Sequence, residues 1–347
     1  MIVLGIETSC DETSAAILID GEVKSNIISS QLVHHKYGGV VPELASRAHQ
    51  RLIVPVVDEA INSAGITKEQ IDGVAVTYGP GLAGALLVGL NFAKAFAYKM
   101  KVPFVGVNHI EAHLYSNFLG KEKPQYPFIC LIVSGGHTQL VYVKKPFEYD
   151  FLGETLDDAA GEAYDKVAKM LGLGFPGGPQ IDKLAQTGNP KFVKFPRSFL
   201  DEDSFNFSFS GLKTSVLYWL KDRGYYPITD SGNKIEGQKL SDVCASFQAA
   251  VADVLVGKTI KAVEKYKVDY VTVSGGVSAN SELRKKLYKN AEEKAIKVFF
   301  PELDYCTDNG AMIALVGWLL LKEGITSDYN LNAVANLPIT GNIIFRL

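Results

Sequence analysis

The sequence predicts a two-lobed α/β protein with a nucleotide cleft between the lobes, and three observations carry that expectation. Two strand–turn–strand units with Gly, Ser or Thr at their tips recur far apart in the chain: IVLGIETSCDETSAAILI, Ile2 to Ile19, and FICLIVSGGHTQLVYV, Phe128 to Val143. A third apolar run ends in another glycine turn, YVTVSGGVSAN from Tyr270 to Asn280, and opens a charged helical pattern, SELRKKLYKNAEEKA. Helical periodicity fills most of the sequence between these markers, so strands and helices alternate.

The first unit reads as a hairpin whose tip is Glu7 to Ser14. Helical patterns follow at Pro42 to Ala64 and Leu82 to Met100. In the stretch Gly79 to Tyr98 small residues are spaced for close packing, and Asn91 and Lys94 argue against lipid, so it reads as a buried helix. A polar link at Lys121 to Gln125 leads to the second hairpin, with its tip at Ser134 to Thr138. Further helices are expected at Ala159 to Leu171, Leu240 to Tyr266 and Gly310 to Glu323. Between Lys183 and Thr229 the pattern breaks into polar, Phe-rich and Pro-containing sequence, read as irregular apart from a short helix around Gly211 to Lys221. The resulting division is a first lobe over residues 1–125, a second over 126–305 and a closing loop, helix and tail over 306–347. Backbone N–H groups at two such tips, facing each other, can hold a polyphosphate or adenylate without any lysine. One tip alone is only a tight turn; three, each after a strand, favour a nucleotide.

Composition narrows the class. With 47% hydrophobic residues in 347, packed cores are affordable, while a net charge of −3 and a pI near 6.1 do not announce a nucleic-acid binder. The longest apolar stretch, Met312 to Leu321, is about half of what a bilayer requires. The opening MIVLGIETS lacks the features of a secretory signal, so a cytoplasmic protein with no membrane partner is expected. Cys10, Cys130, Cys244 and Cys306 form no CxxC pair and read as four free thiols, with Cys306 a buried bystander. One local basic stretch stands out: KLAQTGNPKFVKFPRSFL, Lys183 to Leu200, has four basic residues, no acidic ones, and Phe192, Phe195 and Phe199 interleaved. It is either a contact for a nucleic acid, with aromatics stacking on unpaired bases, or a loop with buried phenylalanines.

His109 and His113 in NHIEAH are four apart, which on a helix projects both imidazoles from one face at metal-ligand separation. Satisfied surface histidines remain the alternative. His34, His35 and His49 have no partner pattern and read as surface groups. A metalloprotease would need its glutamate directly after the first histidine; here Glu111 holds the middle position and points elsewhere. A sugar kinase would need a catalytic aspartate, for which Asp11 is available, but no sugar-binding segment is found. A nucleotide-gated scaffold without chemistry is the remaining rival.

The strings GIETSCDETS, HIEAH, VSGGHTQL, LGETLDDAAGEAYDKVAKMLGLGFPGGPQID, FSFSGLKT, SGGVSAN and TDNGAMIA together resemble the universal tRNA threonylcarbamoyladenosine transferase family, in particular its bacterial branch, once labelled glycoprotease. That family lies within the actin, Hsp70 and sugar-kinase superfamily, and the likeness runs from Ile2 to about Gly317. The resemblance implies transfer of a threonylcarbamoyl group from threonylcarbamoyl-AMP to the exocyclic amine of the adenosine 3′ of the anticodon, with AMP leaving. It implies one divalent metal ion, iron or zinc, on His109, His113 and Asp308, with His137 as a further group polarising the ligand. The adenylate, or ATP, ADP or AMP in its place, would lie against Val133, Ser134, Gly135, Gly136 and His137, and against Asp165, Gly178, Asp182 and Asn280. Short acceptors such as Asp165 and Asp182 suit ligand hydroxyls, and FPGGPQ lets backbone come close, although Asp182 could instead be a helix N-cap. Implied partners are tRNA, a shorter inactive paralogue and a small P-loop ATPase.

Overall fold

The structure is a computed structural model that describes residues 1–199, 203–228 and 233–339. Its contacts divide the chain into two units, Met1–Lys123 with the segment from Pro301 onward, and Pro124–Phe300. The closing segment set apart in the sequence therefore packs with the first unit.

In the first unit β1 (Ile2–Glu7), β2 (Glu12–Ile19) and β3 (Glu22–Ser30) form an antiparallel meander. Helix α1 (Pro42–Ser63) crosses to β4 (Gly73–Gly79), and α2 (Ala83–Met100) crosses to β5 (Phe104–Asn108). Both β4 and β5 join in parallel, giving the order β3-β2-β1-β4-β5. Helix α3 (His109–Tyr115) starts directly from the end of β5. Leu4 and Ile6 of β1 pack with Ile53 and Val56 of α1 and Leu90 of α2. Helix α2 buries one side only, through Ala85, Leu86, Leu90, Ala93 and Ala97, and leaves Tyr98 in solvent, so the expectation of a buried helix holds for one face.

The second unit repeats this connectivity. An antiparallel β6 (Phe128–Val133), β7 (Thr138–Lys145) and β8 (Glu148–Glu154) precede α4 (Ala160–Met170), α5 (Gly177–Ala185), α6 (Ser210–Lys221) and α7 (Gly237–Tyr266). Then β9 (Tyr270–Ser274), α8 (Ser281–Glu293) and β10 (Lys297–Phe299) complete a sheet of order β10-β9-β6-β7-β8, with β9 parallel to β6. Helix α7 is long and apolar enough to cross a membrane, yet 89% of its apolar window is buried in protein; it is the core helix of this unit.

Helix α5 is not evident in the sequence because Pro176, Gly177, Gly178 and Pro179 look like turn signals. They fall at its N-cap and first turn, where backbone N–H groups have no intrahelical acceptor and proline costs little. Asp182 lies inside α5, so the N-cap reading of that residue fails.

The irregular segment after α5 runs along α7. Asn189 N donates to Asp242 Oδ1 (2.7 Å), Val193 N to Ser246 Oγ (3.1 Å), and Arg197 Nε to Asp253 Oδ2 (3.1 Å). Phe195 is a core residue, Phe192 meets the edge of Trp219, and Phe199 lies against Gly257. Burial is the reason Phe195 cannot stack on a base; of the basic residues beside it, Lys191 and Lys194 stay exposed. Leu200 and Thr229, which end the two stretches named from the sequence, lie outside the described residues, as does the tail beyond 339.

Helix α9 (Gly310–Lys322) covers the second face of the first sheet. Alternation points Gly5 away from Leu4 and Ile6, and a Cβ on Gly5 would lie 2.3 Å from Gly310 O. The chain then straps back over β4, β5 and α2. Ser327 N donates to Phe104 O, Val334 N to Tyr78 O, Gly81 N to Ala335 O and Asn108 Nδ2 to Pro338 O. Lys94 Nζ donates to the carbonyls of Tyr329 and Leu331.

Candidate metal and nucleotide sites

Three neighbouring parallel strands of the first unit end together, and the cluster of histidines and acids lies at those ends. Ile6 pairs with Val76 and Thr77 with Val107, so Glu7, Thr77 and His109 come to the same edge at the carboxyl ends of β1, β4 and β5. Asn108 caps α3 by accepting from the N–H groups of Ile110 and Glu111, which fixes the first turn and the direction of His109. One turn on, His113 projects from the same face; the rings are 4.7 Å apart and nearly perpendicular. Asp308 arrives just ahead of α9, whose N-cap is Asn309. Its Oδ1 lies 3.0 Å from His113 Nε2 and 3.4 Å from His109 Nε2.

Ligand atoms of His109, His113 and Asp308 all fall within 4.8 Å of one another. Both histidines are buried and Asp308 is 20% exposed. Two imidazoles and a carboxylate converging in this way fit a divalent cation, and His113 Nδ1 is a buried nitrogen with no hydrogen-bond partner among the described residues. Burial alone would push His109 down, but Asp308 and Glu7 hold it well above the usual imidazole range. Against their own burial, His109 keeps Asp308 well below, and Glu7 below, the usual carboxylate range. Glu12 is pushed up to about 10 by burial and by Asp308 and Asp11. Burial first, then Asp11 and Asp308, push the Cys10 thiol up.

Two histidines read as surface groups are buried instead. His49 on α1 reaches back to the first tip, with Nε2 donating to Cys10 O (2.9 Å) and Nδ1 accepting from Thr13 Oγ1 (2.8 Å). Burial lowers its pKa, as suits a neutral ring in that role. His34 accepts from Val41 N at Nδ1 and donates to Gln31 Oε1 from Nε2. Nothing in their spacing signals burial, because the partners belong to other elements. The His35 side chain lies outside the description.

In the second unit the tip after Val133 is half open. Ser134 N donates to His137 O, and His137 N returns a bond to Ser134 Oγ. The turn abuts the start of α4, where Gly161 N donates to Ser134 O and a Cβ on Gly161 would lie 2.5 Å from that oxygen. Gly135, Gly136 and Gly178, by contrast, have nothing within 4 Å of where a Cβ would stand. Asp165 on α4 accepts from Gly177 N (2.7 Å), fixing the start of α5. Asp182 accepts at Oδ1 from Gln248 Nε2 (2.8 Å) and Ser281 Oγ (2.6 Å), with Asn280 Nδ2 at 3.4 Å. Asn280 also caps α8 and reaches Tyr164 Oη. The residues that the resemblance assigns to an adenylate thus form one connected set on the tip, α4, α5 and the start of α8. Asp165 and Asp182 are part of its internal bracing as well as candidates for ligand contact.

The profile of the tRNA N6-adenosine threonylcarbamoyltransferase family matches residues 22–315. The chain belongs to that family. Relatives named tRNA N6-adenosine threonylcarbamoyltransferase are 54% identical in Salinibacter ruber, covering 98% of this chain and all of that one, and 52% identical in Thermosipho africanus with the same coverage. Among solved structures, HypF from T. kodakarensis superposes with a TM-score of 0.60 at 15% identity, covering 95% of this chain and 49% of that one. Component A of the Acidaminococcus fermentans (R)-2-hydroxyglutaryl-CoA dehydratase gives 0.51 at 15% identity, covering 92% and 98%. These two likenesses speak to the fold, which is of the actin, Hsp70 and sugar-kinase type. As a tRNA N6-adenosine threonylcarbamoyltransferase, the chain is a transferase that modifies an adenosine of tRNA. The sequence reading named His109, His113 and Asp308 but missed Glu7, Ser9 and Thr77, which support His109; no local signal links residues so far apart.

Proposed function

We propose that this transferase takes threonylcarbamoyl-AMP as donor, binds its adenylate on the second-unit residues named above, and uses a divalent iron or zinc ion on His109, His113 and Asp308. What carries the reading is the convergence of two imidazole Nε2 atoms and one carboxylate oxygen from residues 195 apart in sequence, in a chain of this family. When bound, such an ion supplies Lewis acidity toward a carbonyl or phosphate oxygen. The chain's own groups do the rest. Backbone N–H groups of Gly135 and Gly136, on the exposed part of the Ser134–His137 turn, are the candidate donors to a phosphate. Gly178 leaves space for the ligand to approach backbone, and Asn280, held by Gln248, braces the start of α8 beside it. His137 sits on the same turn as those donors and is the candidate for polarising the ligand there.

The acceptor is the adenosine 3′ of the anticodon. Four free thiols and a tRNA substrate suit the cytoplasm, and partnership with a shorter inactive paralogue and a small P-loop ATPase rests on the family alone. The test is transfer of labelled threonine from threonylcarbamoyl-AMP to unmodified tRNA by purified protein, metal-loaded or stripped by chelator, followed by nuclease digestion and mass spectrometry. Label at that adenosine, lost on chelation and restored by metal, is the expected result. Label that stays with the adenylate, or transfer indifferent to metal, would sink the donor or the metal half respectively.

A further inference from the structure

Glu7 is fully buried at the end of β1, and its carboxylate is surrounded by donors. Ser9 N donates to Oε1 and Thr77 Oγ1 to Oε2, each at 2.5 Å. His109 Nδ1 lies 3.0 Å from Oε2, with Ser9 Oγ 3.2 Å from the same nitrogen. A carboxylate that accepts from a backbone amide and a hydroxyl faces His109 as an acceptor too. A proton on Nδ1 completes the pair; a lone pair there would set acceptor against acceptor in a buried place. With Nδ1 protonated and held by Glu7, the ring proton that an ion displaces is the one on Nε2, the nitrogen that faces Asp308 Oδ1 beside His113 Nε2.

We infer that Glu7 is a positioning residue for metal binding: it fixes the proton of His109 on Nδ1, locks the ring direction, and so presents Nε2 to the ion. The inference rests on the metal reading above. Metal-bound histidines generally depend on such a partner, and its loss weakens affinity about 10- to 100-fold. Thr77 and the Ser9 amide in turn hold Glu7, so the tip and β4 together aim a ligand carried by β5 and α3.

The experiment titrates zinc into metal-free full-length protein against a competing chelator. Glu7→Gln keeps the volume and an acceptor for Nδ1–H but loses the charge, and is expected to bind zinc about 10-fold more weakly. Glu7→Leu loses both, with an expected loss near 100-fold. Thr77→Val removes a donor to Glu7 while leaving the Glu7–His109 bond, and should weaken zinc binding by less than Glu7→Gln does. Long-range nitrogen–proton NMR of histidine-labelled, zinc-bound wild type should place the His109 proton on Nδ1, a signature that a purely structural glutamate would not require. Should Glu7→Leu fail to fold, Glu7→Gln and the wild-type spectrum decide the matter. Wild-type zinc affinity in Glu7→Gln, or a His109 proton on Nε2, overturns the role of Glu7 alone. Wild-type protein that binds no zinc stoichiometrically overturns the metal reading and this inference with it.

Discussion

The hairpin tips of the two units share one plan and differ in every physical respect that matters for chemistry. Each joins the first two strands of a sheet with the same connectivity. In the first unit Thr8, Ser9, Thr13 and Ser14 are buried and tied by Ala85, Glu7, His49 and Ile27 respectively, so the tip is a brace. In the second, Gly135 and Gly136 are exposed, and an added Cβ at either would meet nothing. A repeated scaffold thus takes two forms: one tip is buried and braces the His109 side chain through Glu7, the other leaves the main chain of two glycines exposed.

The largest expected effect separates these roles by chemistry. His113→Ala and Asp308→Ala should copurify with little metal and show single-turnover transfer slowed by roughly a hundredfold or more at saturating adenylate, on the scale of losing a preorganised transition-state contact. Adenylate affinity should change little, as read by calorimetry. An equal fall in adenylate affinity would mean that the two tips do not divide the work.

A glycine pair sharpens the contrast within the second unit. A Cβ on Gly177 would stand 2.4 Å from Ala168 Cβ, whereas Gly178 is open. Gly177→Ala should cost about 1–3 kcal/mol in denaturant unfolding. Gly178→Ala should stay within about 0.5 kcal/mol, and Gly178→Glu should weaken adenylate binding without a comparable loss of stability. Equal destabilisation by the two alanines would remove the distinction between packed and open glycines.

The smallest effect is a pH signature of the second unit's core. Lys258 of α7 is buried, donates to Phe199 O and Ser204 O, and is pushed down to about 8, chiefly by burial. Between pH 8 and the ordinary lysine value of about 10.5 the unfolded chain holds the proton that the folded chain has lost, so this residue makes stability rise with pH there. Buried thiols such as Cys130 and Cys244 contribute the opposite slope, so the comparison is wild type minus Lys258→Met. That difference should move in favour of wild type as pH climbs from 8; a flat difference would show that Lys258 titrates normally.

What was legible in the sequence follows from how local each signal is. His109 and His113 are visible because a four-residue spacing on one helix fixes their separation without any tertiary knowledge. The hairpins at Ile2 to Ile19 and Phe128 to Val143 are visible because alternating strand formers flank small polar turns. Glu7 is not, since its tie to His109 depends on β1, β4 and β5 ending in register. Asp308 came through likeness to a family, and the structure supplies the reason it can reach: α9 lies across β1 and β4. Phe195 misled because an aromatic among basic residues reads the same whether α7 covers it or solvent does. Edge strands such as β3, with Lys24, Ser25 and Asn26 at its middle, carry too little apolar alternation to announce themselves.

The return of the chain's last segment to its first strand sets an order for synthesis. The second unit, 124–300, is contiguous and leaves the ribosome with all its strands and helices made. The first sheet must wait, because α9, which covers one of its faces, and the strap from Ser327 to Pro338 are translated last. Asp308 waits with them, so an incomplete chain displays His109 and His113 without the carboxylate that faces them. A product truncated before Asp308 loses the cover of its first sheet and the carboxylate facing its two histidines in the same stroke, and would meet the cell's quality control as an open sheet.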